Sequence, residues 1–448
     1  MTPPSVPGVG PRRPMRVPPV TERTLPNGLR VIVARRTGIP RFEARLRIPT
    51  VRNNRAGEGA RQVVLAETFL SGTPQRTSME IAEAAQHLGG SLGVSADAES
   101  LLLAGSALSV SLVPFLRLMG EVTQQASFPP DEVAIERDRL VQEISLSLSQ
   151  PESIARDALL ARYFGAHPYG RGTPKPEAVA RVRPSALRAV HAASVLPEGS
   201  VLVLVGDVAA ARALDGAASA FGQWKASGQA LVGPRLPAPK LPPRQPVLLV
   251  DRPGAVQTNI RLIGPAVPRR HPDFASQMLA NAIFGGYFTS RLVDNIRERR
   301  GYTYSPGSSI EHRRAASVFS VSADVGTDVT AAALVEIRYE LGRMVATLAD
   351  QSELDAARRY LQGTLAMSIQ TQAGLIAYLS TLAVFGLGVD YLRDYPNMLE
   401  QVTVESVRDV ASRLLAPSGL QTVLVGDAAT IRGEVEALDP VEVRPASS

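Results

Sequence analysis

The chain has 448 residues, 45% hydrophobic and 20% charged, a composition of folded globular proteins and a length that calls for more than one core. Its formal net charge is +6 and it has no cysteine, which excludes disulfides, zinc–thiolate sites and a cysteine nucleophile. The basic residues are scattered among nearly as many acids, which argues against a nucleic-acid-binding face, and no apolar run reaches the ~20 residues of a membrane span.

The first 20 residues, MTPPSVPGVGPRRPMRVPPV, read as a flexible Pro-rich tail. They lack the continuous apolar stretch of a secretory signal, so a cytoplasmic location is expected if Met1 is the native start, and a periplasmic or exported one if the chain has been trimmed. GLRVIVA and EARLRIP then read as strands, the second with strict alternation from Glu43 to Ile48. Helices are expected over about 57–70 and 78–88. Gly89-Gly90 breaks the pattern, and SLGVSAD with SLLLAGSAL reads as a hairpin. Long helices follow over 110–126, 131–149 and 151–163, and VLVLVGDV at 201–208 closes the half as a strand.

LVGPRLPAPKLPPRQP, residues 231–246, carries six prolines and predicts an extended, semi-rigid linker between domains at 21–230 and 247–440. The halves resemble each other: Gly206 in VLVLVGDV and Gly426 in TVLVGDAA lie 220 residues apart (426 − 206), each after an apolar β-rich run and before an Ala-rich helix, as in a duplicated domain. In the second half QTNIRLI and SVFSVSA alternate as strands, with helices expected over about 273–284, 289–299, 330–348 and 353–383. Strands and helices grouped in runs predict two homologous α+β domains, each a mainly antiparallel sheet with helices packed on it.

A helix-borne zinc site needs two histidines at i and i+4, because that spacing stacks their side chains on one face. The five histidines, His87, His167, His191, His271 and His312, offer no such pair. His167 in AHPYGR reads as a turn residue before proline, and His87 as the C-terminal cation of its helix. A G-x-S-x-G serine elbow is also missing. RERR at 297–300 reads, on its own, as cations at a helix C-terminus capped by Gly301.

Taken together, TLPNGLRVIV, FLSGTPQRTSMEIAEAAQHLGGSLG, FPPDEVAIERDRLVQEI, AHPYGRGTPKPEAV, VLVLVGDV, FGGYFTSRLVDNIRERRGYTYS and TVLVGDA resemble the ordered landmarks of the insulinase/pitrilysin-type (inverzincin) metallopeptidases, over about residues 20–440. That family's H-x-x-E-H motif precedes the landmark FLSGT. Counted back from it, the two histidines fall on Val63 and Glu67 and the catalytic glutamate on Ala66, so all three are lost. The family's third ligand falls on Glu143, with Glu136 seven residues earlier on the same helix face. One carboxylate cannot replace three protein ligands and an open position, and Glu143 then reads as a surface or interhelix acid.

The resemblance also places in the second half an arginine and a tyrosine, seven residues apart, that contact the peptide near its scissile carbonyl. Here they are Arg297 and Tyr304, both hydrogen-bond donors suited to a developing oxyanion, with Arg299, Arg300 and Tyr302 as neighbours that could shift the register. In two-chain members of the family, one subunit carries zinc and its partner carries this pair, the two closing as a clamshell. The resemblance therefore implies a zinc-free half of a clamshell: no cofactor in this chain, zinc in a homologous partner subunit, and a peptide or unfolded protein as substrate. Two other readings stay open. One is a catalytically inactive scaffold for assembly or peptide binding; the other is an autonomous hydrolase holding another metal through Glu67, Glu136 and Glu143.

Overall fold

The structure, a computed structural model, describes residues 16–50, 57–225 and 236–446. The tail through residue 15 and residues 231–235 of the Pro-rich stretch lie outside the described residues, and residues 236–246 carry neither helix nor strand.

Alternation does its expected work in β3 (Arg41–Pro49): Phe42, Ala44, Leu46 and Ile48 are fully buried, and Glu43, Arg45 and Arg47 stand half-buried on the other face. With β1 (Val20–Thr24), β2 (Arg30–Arg35), β4 (Ser91–Ala96), β5 (Ser100–Leu108) and β6 (Val201–Gly206) it forms a six-stranded sheet ordered β1-β2-β6-β3-β5-β4. Only β2 and β6 pair in parallel. A second sheet contains β7 (Val247–Asp251), β8 (Gln257–Ala266), β9 (Gly307–His312), β10 (Ser317–Gly326), β11 (Gln421–Gly426) and β12 (Val441–Pro445), ordered β12-β7-β11-β8-β10-β9. Five strands of each sheet thus follow one order, with Gly206 and Gly426 ending equivalent strands. The sixth differs: β1 pairs antiparallel at one edge, whereas β12 comes from the other end of the chain and pairs in parallel with β7.

The first half contributes α1 (Glu58–Glu67), α2 (Ser78–His87), α3 (Leu112–Gln125), α4 (Pro130–Ser149), α5 (Pro151–Phe164), α6 (Pro176–Ala180), α7 (Pro184–Ser194) and α8 (Ala210–Phe221). Local signals set their ends: Thr77 and Glu80 form a reciprocal capping box on α2, and Pro130 and Pro151 begin α4 and α5. The second half contributes α9 (Phe274–Asn281), α10 (Arg291–Val293), α11 (Thr330–Ala346), α12 (Gln351–Ser368) and α13 (Gln372–Val384) before its last helices. Among the described residues, no single helix is long and apolar enough to cross a membrane.

The central strands β2, β6, β7 and β11 are buried along nearly their whole length, so each sheet needs cover on both faces. One face is covered by helices of the same half. The other is covered by the opposite half: Leu375, Ile376 and Leu379 of α13 pack on Ile32, Ala34, Val203 and Val205, while Ala155, Leu159, Tyr163 and Phe164 of α5 pack on Leu248, Val250, Val423 and Val425.

This exchange explains a difference from the sequence reading, which ran one helix over 353–383. The chain breaks after Ser368, and the Thr371 side chain caps α13 by accepting from Gly374 N at 2.9 Å. A side chain at residue 374 would place its Cβ 1.8 Å from the Ser368 carbonyl oxygen, so this tight redirection of the helix onto the other sheet requires glycine. The 273–284 and 289–299 helices also differ, each widening into a π-helical turn, at Ala282–Gly286 and Asp294–Arg299.

The halves are latched at Tyr169, the tyrosine of AHPYGR. Its buried hydroxyl donates to Glu99, at the β4–β5 turn, and accepts from Ala315 N at 3.1 Å, at the β9–β10 turn. Glu99 also accepts from Arg314 N at 3.0 and 3.1 Å, and Arg313 lies 4.8 Å over the Tyr169 ring. Burial pushes the Tyr169 hydroxyl well above the usual phenol range. His167 is a turn residue as expected, its Nδ1 accepting from Tyr169 N. Because Tyr169→Phe removes the acceptor of the partly buried Ala315 N–H and a donor to Glu99, it should lower stability by about 1 kcal/mol, read as a lower urea midpoint with little change in slope.

Candidate functional site

Val63, Ala66 and Glu67 occupy the last turn of α1. Ala66 is buried and Val63 packs partly buried on the core, so neither offers a donor atom to a metal. Glu67 faces α4, where Glu136, Arg139 and Glu143 recur at three- and four-residue spacing on one helix face. The Arg139 guanidinium donates to all three acids: Nε to Glu136 at 2.8 Å, one terminal nitrogen to Glu143 at 2.9 Å and the other to Glu67 at 2.7 Å. These hydrogen bonds and charges, that to Glu136 foremost, hold Arg139 above its ordinary pKa.

A cation tethered to the chain thus bridges α1 and α4, the helices on which the sequence reading expected the zinc-ligand positions. The residues present do not fit zinc, because Val63 and Ala66 carry no donor atom, and the carboxylates that the alternative reading assigned to another metal, Glu67, Glu136 and Glu143, all share one guanidinium. Glu143 is an exposed acid whose partner Arg139 also reaches Glu67 of α1. Among the described residues no group of three His, Asp or Glu side chains is arranged to hold a metal. The sequence signal for this network is Glu-x-x-Arg-x-x-x-Glu, from Glu136 to Glu143. Arg139→Met should lower stability by about 1 kcal/mol at low ionic strength, and molar salt should remove most of the difference in urea midpoint, because the network is half exposed.

The second cluster lies where the π-helical turn Asp294–Arg299 ends. Gly301, at φ 66°, closes it, with Gly301 N donating to the Arg297 carbonyl at 3.1 Å and Tyr302 N to that of Ile296 at 2.9 Å. The RERR cations thus do sit at a capped helix C-terminus. Their side chains then diverge. Arg299 pairs with Asp294 at 2.6 Å and Arg300 with Glu336 at 2.7 Å. Arg297 instead lies with its guanidinium carbon 4.6 Å from the ring centroids of both Tyr304 and Phe288, and its Nε is 3.3 Å from Glu298. The seven-residue spacing therefore corresponds to real contact, with the Tyr304 side chain largely open to solvent at 82% exposure.

This segment is firmly seated. Arg291, buried, grips Glu353 through two hydrogen bonds of 2.8 and 2.6 Å, which hold the Glu353 carboxyl below its usual range. Asn295 donates to Glu336 at 3.0 Å and to Glu340 at 2.8 Å. π-helical turns recur at functional sites because they redirect side chains away from the regular helical ladder; here the turn carries Arg297.

The two sheets with their shared strand order define a duplicated α+β scaffold. A family model described as insulinase (peptidase family M16) matches residues 64–177, and one described as peptidase M16 inactive domain matches residues 181–361. An uncharacterized zinc protease of Mycobacterium leprae (strain TN) is 28% identical over 430 residues, covering 88% of this chain and 89% of its own. Among solved structures, a peptidase M16 inactive domain from Pseudomonas fluorescens has a TM-score of 0.84 at 24% identity, covering 91% of this chain and 98% of that one. A protease from Helicobacter pylori has a TM-score of 0.83 at 18% identity, with coverage of 92% and 100%. The chain belongs to the insulinase, or M16, peptidase family and lacks that family's zinc motif.

Proposed function

We propose that this chain is the zinc-free subunit of a two-chain zinc peptidase, acting on peptides or unfolded proteins. The metal and the general base belong to a homologous partner that keeps H-x-x-E-H. Arg297 and Tyr304 complete the site from this side: the guanidinium edge and the phenol O–H donate to the scissile carbonyl oxygen and stabilise the negative charge that grows on it. The observation that carries this reading is the contact of Arg297 with Tyr304, on a rigidly seated π-helical turn, while Arg299 and Arg300 are engaged elsewhere. The loss of the motif and the occupation of its surroundings by Arg139 explain why the chain would need a partner; they equally suit an inactive scaffold.

The test uses the tagged chain isolated from its own cells with whatever binds it, assayed on a dye-quenched unstructured peptide, with zinc measured in the same sample. The expected result is a zinc-containing complex that cleaves the peptide, while the chain alone carries no zinc and cleaves nothing. Arg297→Ala and Tyr304→Phe should each lower kcat on the order of 10²–10³ without changing zinc content. A complex without zinc peptidase activity, or a rate indifferent to both substitutions, would establish the scaffold reading instead.

A further inference from the structure

Phe288 is 60% exposed, and burial does not account for a large apolar ring in that position. Its position is nevertheless tightly determined. The preceding π-helical turn ends at Gly286, and Tyr287 then runs extended (φ −156°, ψ 171°) and stacks on Tyr360 of α12, ring centroids 4.8 Å apart and planes within 24°. The backbone at Gly285 lies so close to β9 that a Cβ there would sit 2.7 Å from the Ser308 hydroxyl oxygen. Three residues after Phe288, Arg291 is locked on Glu353. The loop is thus pinned on both sides of Phe288, and the ring it presents to solvent flanks the Arg297 guanidinium at 4.6 Å.

We propose that Phe288 is a positioning residue for Arg297: together with Tyr304, its ring holds the guanidinium plane in one orientation before any peptide arrives. This rests on the reading of Arg297 as a carbonyl donor. An exposed arginine otherwise samples many rotamers, and ordering it on substrate binding opposes the interaction. Stacking an aromatic ring over a guanidinium engages the face of the cation and leaves its N–H groups, which lie in the plane, available to acceptors. A cation–π contact at an exposed site shifts such an equilibrium by about two- to fivefold. Phe288 need not touch substrate. Its contribution passes through Arg297.

The experiment has two arms. In the full-length chain labelled with nitrogen-15 arginine, the Arg297 Nε–H resonance, identified by its loss in Arg297→Lys, should move downfield in Phe288→Leu as ring shielding disappears, and should stay near its original position in Phe288→Tyr. In the isolated peptidase complex, Phe288→Leu should lower kcat up to about fivefold at unchanged KM, Phe288→Tyr should restore it, and Phe288→Leu should add nothing in an Arg297→Ala background. An unmoved resonance would overturn the positioning role, as would an equal loss of rate with and without Arg297. If Arg297→Ala itself leaves kcat unchanged, the carbonyl-donor reading falls, and the resonance still decides whether the ring holds the guanidinium.

Discussion

The structure depends on one packing constraint: strands β2, β6, β7 and β11 are apolar on both faces, but each half supplies its own sheet with helices on only one. The remaining face is covered from the other half, by α13 on the first sheet and by α5 on the second. A buried sheet face left bare would expose the central valines and leucines to water, at a cost of roughly 25 cal/mol for each Å² of apolar surface. The two halves therefore stabilise each other. The Tyr169 latch fixes their hairpin turns by hydrogen bonds that a purely apolar interface lacks. This interlocking gives Arg297 and Tyr304 a stable base, because α12, whose Glu353 holds Arg291, leads directly into the exchanged helix α13.

Against this shared frame the helical segments of the two halves differ in chemistry. In the first, the last turn of α1 is apolar at Val63 and Ala66 and ion-paired at Glu67. In the second, a π-helical turn holds a partly buried arginine beside two exposed aromatic rings. In one region the cation is engaged by carboxylates, and in the other by the faces of aromatic rings. Such a difference on a duplicated scaffold is what allows one fold to host different roles, since function lies in the side chains at a site and not in the topology.

Much of the fold could be read from the sequence because its determinants are local. Alternation marked β3, β8 and β10, the Gly89-Gly90 pair marked the entry to the β4–β5 hairpin, and the recurring glycines 206 and 426 marked the duplication. The exchange of α5 and α13 could not be read, because periodicity shows that a face is apolar without saying what covers it. For the same reason, the residues around Thr371 read as continuous helix when their capping chemistry ends one helix and begins another. The π-helical turns were hidden as well, since their residues fit an ordinary helical period. Loss of the metal motif was legible by counting from FLSGT, and the Arg297–Tyr304 spacing became informative through the family resemblance. Arg139 and Phe288 were missed: each acts through side-chain geometry across helices or loops that the linear order does not display.

The guanidinium of Arg139 gives the region around the lost motif a property that a metal-based link lacks. A bound ion can be withdrawn by a chelator, displaced by a competing metal or denied by scarcity, and its ligands release it as they take up protons. Arginine keeps its charge throughout the pH range in which proteins remain folded, and it is covalently part of α4. The connection between α1 and α4 is consequently indifferent to metal supply: it forms as the chain folds and needs no bound ion.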